Sequence, residues 1–127
     1  MDYLVFEGKV FDIEWYFTER EESQAKEYFE ELEGGQQDKA MNLFQLMGNV
    51  GKILNKEKFR NEGNHIYAFK IKPDRFLCFF AEDKRVIITN GFTKKTDKLP
   101  KNEKERAVSF MKDYMKRVKE GTYYEED

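Results

Sequence analysis

With 127 residues, 15.3 kDa and a formal charge of −2, the chain is sized for one compact domain that buries roughly 65% of the surface its unfolded form exposes. A hydrophobic share of 39%, with twelve Phe and seven Tyr, excludes a disordered chain even though 38% of residues are charged. No apolar run approaches ~18 residues, the acidic start Met1-Asp2-Tyr3 lacks a signal-peptide pattern, and one Cys with one His leaves no disulfide framework or Cys-based metal site, so the expectation is a cytoplasmic protein with no membrane contact, no metal and no cofactor.

In chain order, residues 4–6 and 10–18, rich in Val, Ile, Trp, Tyr and Phe, predict two short strands around a Glu7-Gly8-Lys9 turn. The first is expected to add to a sheet edge and cover it. Over residues 19–33, Ala25, Tyr28, Phe29 and Leu32 recur at helical spacing on an acidic surface, and Gly34-Gly35 supplies the stop. A second helix is expected over 37–54, with Ala40, Leu43, Phe44, Met47, Val50 and Leu54 on one stripe, so that the two form an antiparallel hairpin. After a polar stretch at 55–63, three strands follow as a meander over 66–72, 75–81 and 86–92, the first two joined by Pro73-Asp74. A last helix spans 103–120 behind an Asn102 N-cap, with a stripe of Ala107, Phe110, Met111, Tyr114 and Val118 and a stop at Gly121. Residues 1–121 thus form a single α+β domain, a small and mostly antiparallel sheet on a helical hairpin with a C-terminal helix, in the order β-(β)-α-α-β-β-β-α. Residues 122–127 are expected to be an acidic, disordered tail.

The near-neutral total hides a segregation of charge. Residues 1–33 carry eleven Asp or Glu against three Lys or Arg, residues 34–93 ten basic against six acidic, and residues 94–119 ten basic against four acidic, giving local values of −8, +4 and +6; the last eight residues add −4. At close range a polyanionic partner responds to the local field rather than the total. Pairing across the Pro73-Asp74 loop sets Lys72 opposite Arg75. Tyr67, Phe69 and Ile71 then share an apolar, helix-bearing face with Phe76, Cys78 and Phe80. Ala68, Lys70, Lys72, Arg75, Leu77 and Phe79 share the opposite one, a mixed basic face open to solvent, a protein partner or nucleic acid.

The segment Lys58-Phe59-Arg60-Asn61-Glu62-Gly63-Asn64-His65-Ile66-Tyr67-Ala68-Phe69-Lys70-Ile71, then Arg75-Phe76-Leu77-Cys78-Phe79-Phe80, then Gly91-Phe92-Thr93-Lys94-Lys95-Thr96 with Pro100 four residues on, resembles the phage-derived Gp49-like family, which includes HigB-type toxins of the RelE/ParE superfamily. The likeness covers roughly residues 37–120. It implies a RelE/ParE-like fold and the toxin of a type II toxin-antitoxin pair, an endonuclease that cuts mRNA on the ribosome and is blocked by a helix-turn-helix antitoxin. It also maps the family's strand Arg onto Arg75, its preceding-strand Arg onto Lys70 and its paired lysines onto Lys94 and Lys95.

Such cleavage requires deprotonation of a ribose 2′-hydroxyl, neutralisation of charge at the phosphate and protonation of the leaving 5′-oxygen, tasks that basic side chains perform without a metal. The candidates are Arg75, Lys70 and His65 for catalysis, with Lys72, Lys94, Lys95 and Lys98 for nucleic-acid binding. Each has a plainer reading as well. Arg75 pairs with Asp74 or a neighbouring strand carboxylate in a surface ion pair, His65 is a turn residue bonded to backbone, and only one of Lys94 and Lys95 faces the site if the strand continues through them. Cys78 is read as a buried small hydrophobe and Tyr67 as core. The rival from another class is a noncatalytic, phage-encoded protein-binding module on the same scaffold, such as an inhibitor of a host enzyme or a ParE-like gyrase poison.

Overall fold

Aromatic and β-branched residues at alternating positions build a six-stranded sheet; the computed structural model describes residues 1–124. In chain order the elements are β1 (Leu4–Glu7), β2 (Asp12–Trp15), α1 (Gln24–Glu31), α2 (Gly34–Val50), β3 (Phe59–Gly63), β4 (Ile66–Ile71), β5 (Asp74–Ala81), β6 (Arg85–Thr93) and α3 (Lys101–Glu120). The strand order is β1-β2-β6-β5-β4-β3, with β2 and β6 parallel and the other neighbours antiparallel. This is the α+β architecture expected from the sequence, with β1 along one edge. The polar stretch at 55–63 yields a strand the pattern did not reveal, β3, which forms the opposite edge.

Both faces of the sheet are covered. On one, α1 and α2 pack against Ile13, Trp15, Phe69, Phe76, Cys78, Val86 and Ile88. Phe44 of α2 is wholly buried there, with ring centroids 5.0 Å from Phe69 and 5.5 Å from Phe76, and burying a ring of this size contributes roughly 2–3 kcal/mol. On the other face, Ala107, Met111 and Tyr114 of α3 cover Ala68, Leu77, Phe79 and Ile87. The face expected to be open is therefore divided: its apolar part lies under α3, and beyond that cluster stand Lys72, exposed, Lys70, half-buried, and Arg75, buried.

The helical hairpin differs from expectation in its joint. Residues 18–22 form a turn, with Thr18 N–H donating to the Glu22 carbonyl, so α1 begins only at Gln24, behind Ser23, whose hydroxyl accepts from Lys26 N–H at 3.2 Å. Gly34-Gly35 opens α2 rather than closing α1. The last carbonyls of α1 are instead capped from outside by Gln37, which donates to Phe29 O at 3.0 Å and Glu30 O at 3.3 Å. At its far end α2 stops at Gly51, in the left-handed conformation at φ 88°, rather than at Leu54. Gly48 is needed there because a Cβ would stand 2.8 Å from the Phe6 ring. That close approach seats the β1–β2 turn on α2, where Val10 and Phe11 N–H both donate to Gly48 O.

The β4–β5 turn is Lys72-Pro73, one residue earlier than expected. Asp74 joins β5, and the register places Lys70, not Lys72, opposite Arg75. The difference is two residues in pairing, so every side chain keeps its expected face. The C-terminal segment is a larger departure. Tyr123 is 2% exposed, accepts from Phe17 N–H at 3.0 Å and receives the Tyr3 hydroxyl on its carbonyl, while Tyr124 donates to Glu14 at 2.8 Å. Residues 122–124 are thus packed rather than a tail, because their rings reach strands more than 100 residues earlier. The rest of the expected disordered tail, 125–127, lies outside the described residues.

Candidate nucleic-acid interface

Beyond the apolar cluster, the α3 face ends in a row of cations. Register sets Lys70 of β4 beside Arg75 of β5, Lys70 N–H bonds Lys58 O, and Arg60 of β3 lies one row along on the same face. Lys94 continues β6 past its last residue, its N–H donating to Pro73 O at 2.8 Å.

Arg75 is only 7% exposed, and its single described hydrogen bond runs from Nη1 to the carbonyl of Asp74 at 2.9 Å. No carboxylate forms an ion pair with Arg75, Lys70 or Lys94 among the described residues. Among the described residues no buried side-chain nitrogen or oxygen lacks a partner, so the remaining guanidinium nitrogens reach solvent at the surface of the row. The expected surface pair of Arg75 with Asp74 is absent because the two side chains point to opposite faces. Burial lowers the Arg75 pKa, opposed by Glu62 and Asp74. Burial also lowers that of Lys70, and repulsion from Arg75, Lys94 and Arg60 adds to the shift while Glu62 opposes it. Cations that repel one another raise the local positive potential, and a bound anion would relieve it.

Behind the row, the helical hairpin holds the strand ends. Gln36 of α2 donates to Ile71 O at 3.0 Å, Lys72 O at 3.3 Å and Asp74 Oδ2 at 2.8 Å, which closes the turn between Lys70 and Arg75. Asp74 is buried and also receives the Tyr28 hydroxyl, whose pKa burial and this carboxylate push up to about 12. Gln24 of α1 pairs with both backbone groups of Gly91 at 2.7 Å. Gly91 is required there, since a Cβ would lie 2.8 Å from the Tyr28 ring. These contacts anchor the residues from which Arg75 and Lys94 project.

The candidates do not all converge. Lys70, Arg75 and Lys94 come together, and Lys94 rather than Lys95 is the lysine that acts on Lys70. Lys95 and Lys98 are exposed on the loop that follows β6, and Lys72 is exposed at the tip of the turn. His65 stands apart. It sits exposed at φ 67° in the β3–β4 turn, at the opposite end of β4 from Lys70, about 16 Å away along the strand. Proton transfer in concert with Arg75 is therefore beyond its reach, and the plainer reading as a turn residue fits its place. Cys78 is fully buried in the core, and burial pushes its thiol pKa far up, so it is no nucleophile. Sequence reasoning missed Arg60, Gln24, Gln36 and the buried role of Asp74; the two glutamines carried no signal, since their task is set by which backbone they meet.

Among the described residues, no group of three or more His, Cys, Asp or Glu is placed to hold a metal ion, and no helix is long and apolar enough to cross a membrane. A search of curated proteins found no match. The family described as Phage derived protein Gp49-like (DUF891) matches residues 27–112, about two thirds of the chain, from α1 into α3. That span contains Gln36, Lys70, Arg75 and Lys94.

Proposed function

The chain belongs to the phage-derived Gp49-like family, and from that premise we propose that it is the toxin of a toxin-antitoxin pair, a HigB-type member of the RelE superfamily that cuts mRNA on the ribosome. The observation that carries this reading is the Arg75 guanidinium, buried to 7% exposure yet without a carboxylate partner and flanked by Lys70 and Lys94. The guanidinium donors that face solvent are answered by no carboxylate among the described residues, so they are available to an anion. Here that anion is the scissile phosphate: Arg75 grips the non-bridging oxygens through the fork of donors it still presents, and Lys94 adds charge. As the ribose 2′-oxygen bonds to phosphorus and the P–O5′ bond breaks, the 2′-proton must leave and O5′ must gain one. Lys70, whose pKa is lowered, replaces His65 as the group that exchanges these protons. Its partners on this reading are ribosome-bound mRNA and a small helix-turn-helix antitoxin protein that covers the cationic row.

A second reading, a noncatalytic inhibitor of a host protein on the same scaffold, is favoured by one observation: the chain's sole imidazole lies at the wrong end of β4. Induction from a tight promoter with transcript-end mapping separates the two. Growth arrest with new 5′-hydroxyl ends in translated messages supports the nuclease. Arrest without new ends, relieved when a host protein is overproduced, refutes it in favour of the inhibitor.

A further inference from the structure

On the far side of Lys70, the edge of the sheet meets α2 in a pocket of about 410 Å³. Its polar lining is Lys39 and Asn42 from α2, Asn55 and Lys58 from the linker before β3, and Lys70 and Lys72 from β4 and its turn. Glu57 is the only carboxylate among its lining residues. Building on the nuclease reading, we propose that this pocket is a second RNA-binding site, one that holds backbone phosphates of the strand next to the nucleotide gripped by Arg75.

Three observations support this. None of the four lysines is in an ion pair among the described residues, so no carboxylate competes with an anion for them. Lys70 belongs to both the pocket and the cationic row, its ammonium anchored on Lys56 O at 3.1 Å, so a single strand leaving Arg75 meets the pocket without crossing a neutral gap. The apolar part of the lining is only Leu43 and Ile71, with no aromatic ring on which a base stacks and no exposed apolar anchor for a protein segment. Lysines and amides without rings bind a nucleic-acid backbone independently of sequence. The site therefore grips the strand, and sequence is not read there.

The test is fluorescence anisotropy of the full chain with a fluorescein-labelled twelve-nucleotide oligouridylate carrying 2′-deoxy sugars to prevent cleavage, titrated between 50 and 300 mM KCl. Removing two phosphate contacts with the double variant Lys39→Ala, Lys58→Ala should weaken binding and flatten the slope of log affinity against log salt by about 1.4, at about 0.7 per contact on a single strand. The double variant Lys39→Arg, Lys58→Arg should restore the slope. Both positions are exposed, so folding is not at stake. An unchanged slope in the alanine variant overturns the pocket, as does an oligoglutamate of equal charge that competes as well as the RNA. Cleavage on ribosomes is scored separately. Loss of slope in the alanine variant with no cleavage by the wild-type chain keeps the pocket and removes the nuclease reading, and an unchanged slope with wild-type cleavage that Arg75→Gln abolishes removes the pocket alone.

Discussion

Two arginines, Arg75 and Arg117, are equally hidden, at 7% and 8% exposed, and live in opposite surroundings. Arg117 of α3 donates to Asp113 Oδ2 from both Nε and Nη2, at 2.9 and 2.7 Å, reaches Phe17 O at 2.6 Å, and lies 4.6 Å from the Tyr123 ring centre. Its Nε and Nη2 are answered by a carboxylate and a carbonyl, and its plane by a ring. Arg75 has one carbonyl; Lys70 stands opposite it on β4, and Glu62 and Asp74 act on it from beyond ion-pair distance. Burial alone therefore says nothing about what a buried cation does; the inventory of its partners does. Arg117 fastens α3 and the C-terminal tyrosines to the segment that follows β2, whereas on the proposed reading the donors Arg75 leaves open are met by a phosphate. The family match covers the second arrangement and stops before Arg117.

The comparison breaks first if the C-terminal fastening is dispensable. Tyr123→Ala empties a buried ring site and should cost about 3–5 kcal/mol in urea unfolding; a loss under ~1 kcal/mol means the segment is not part of the core. Arg117→Ala should cost on the order of 3 kcal/mol by stranding Asp113 and the Phe17 carbonyl, while cleavage per folded molecule stays at the wild-type level. Gln36→Ala sharpens the comparison from the other side. Losing its hydrogen bonds to the turn costs about 1–2 kcal/mol, and the displacement of Arg75 should reduce cleavage roughly tenfold or more, beyond what unfolding explains. Equal losses of activity and folded fraction would reduce Gln36 to a structural residue.

The smallest effect is one of pH. Burial raises the Asp113 pKa, but the Arg117 and Tyr16 hydrogen bonds outweigh it and hold the carboxyl below the usual range. With the folded value below the unfolded one, its contribution is complete above about pH 4 and is lost as pH falls through the folded value. Asp113→Asn should flatten that acid-side decline in a series of melts. Lys70 has the opposite sign, since a lowered lysine pKa is a cost carried at neutral pH, and Lys70→Gln should raise the melting temperature slightly.

The meander and most of α3 were legible because their patterns are local, although α3 begins at Lys101 behind Pro100 rather than behind Asn102. Tyr67, Phe69, Phe76 and Cys78 alternate, and the Pro73 bend marks the turn. β3 escaped notice because an edge strand with one inward ring, Phe59, carries too little apolar signal. Gly34-Gly35 looked like a terminator because the real cap, the Gln37 side chain, belongs to the following helix. Arg75, Lys70 and Lys94 were named from their motifs. His65 was named for its chemistry alone, and chemistry without register places nothing. Tyr123 and Tyr124 were lost in an acidic composition because their partners, Phe17 and Glu14, lie more than 100 residues away.

The central claim, that Arg75 is an unpaired cation reserved for a scissile phosphate, is tested most directly by Arg75→Gln assayed in parallel for melting temperature and for cleavage of a defined mRNA on purified ribosomes. The account predicts stability within ~1 kcal/mol of wild type, since no ion pair is lost, and cleavage reduced by about 10²–10³-fold. A variant that unfolds as Arg117→Ala does, or that cleaves at the wild-type rate, contradicts it.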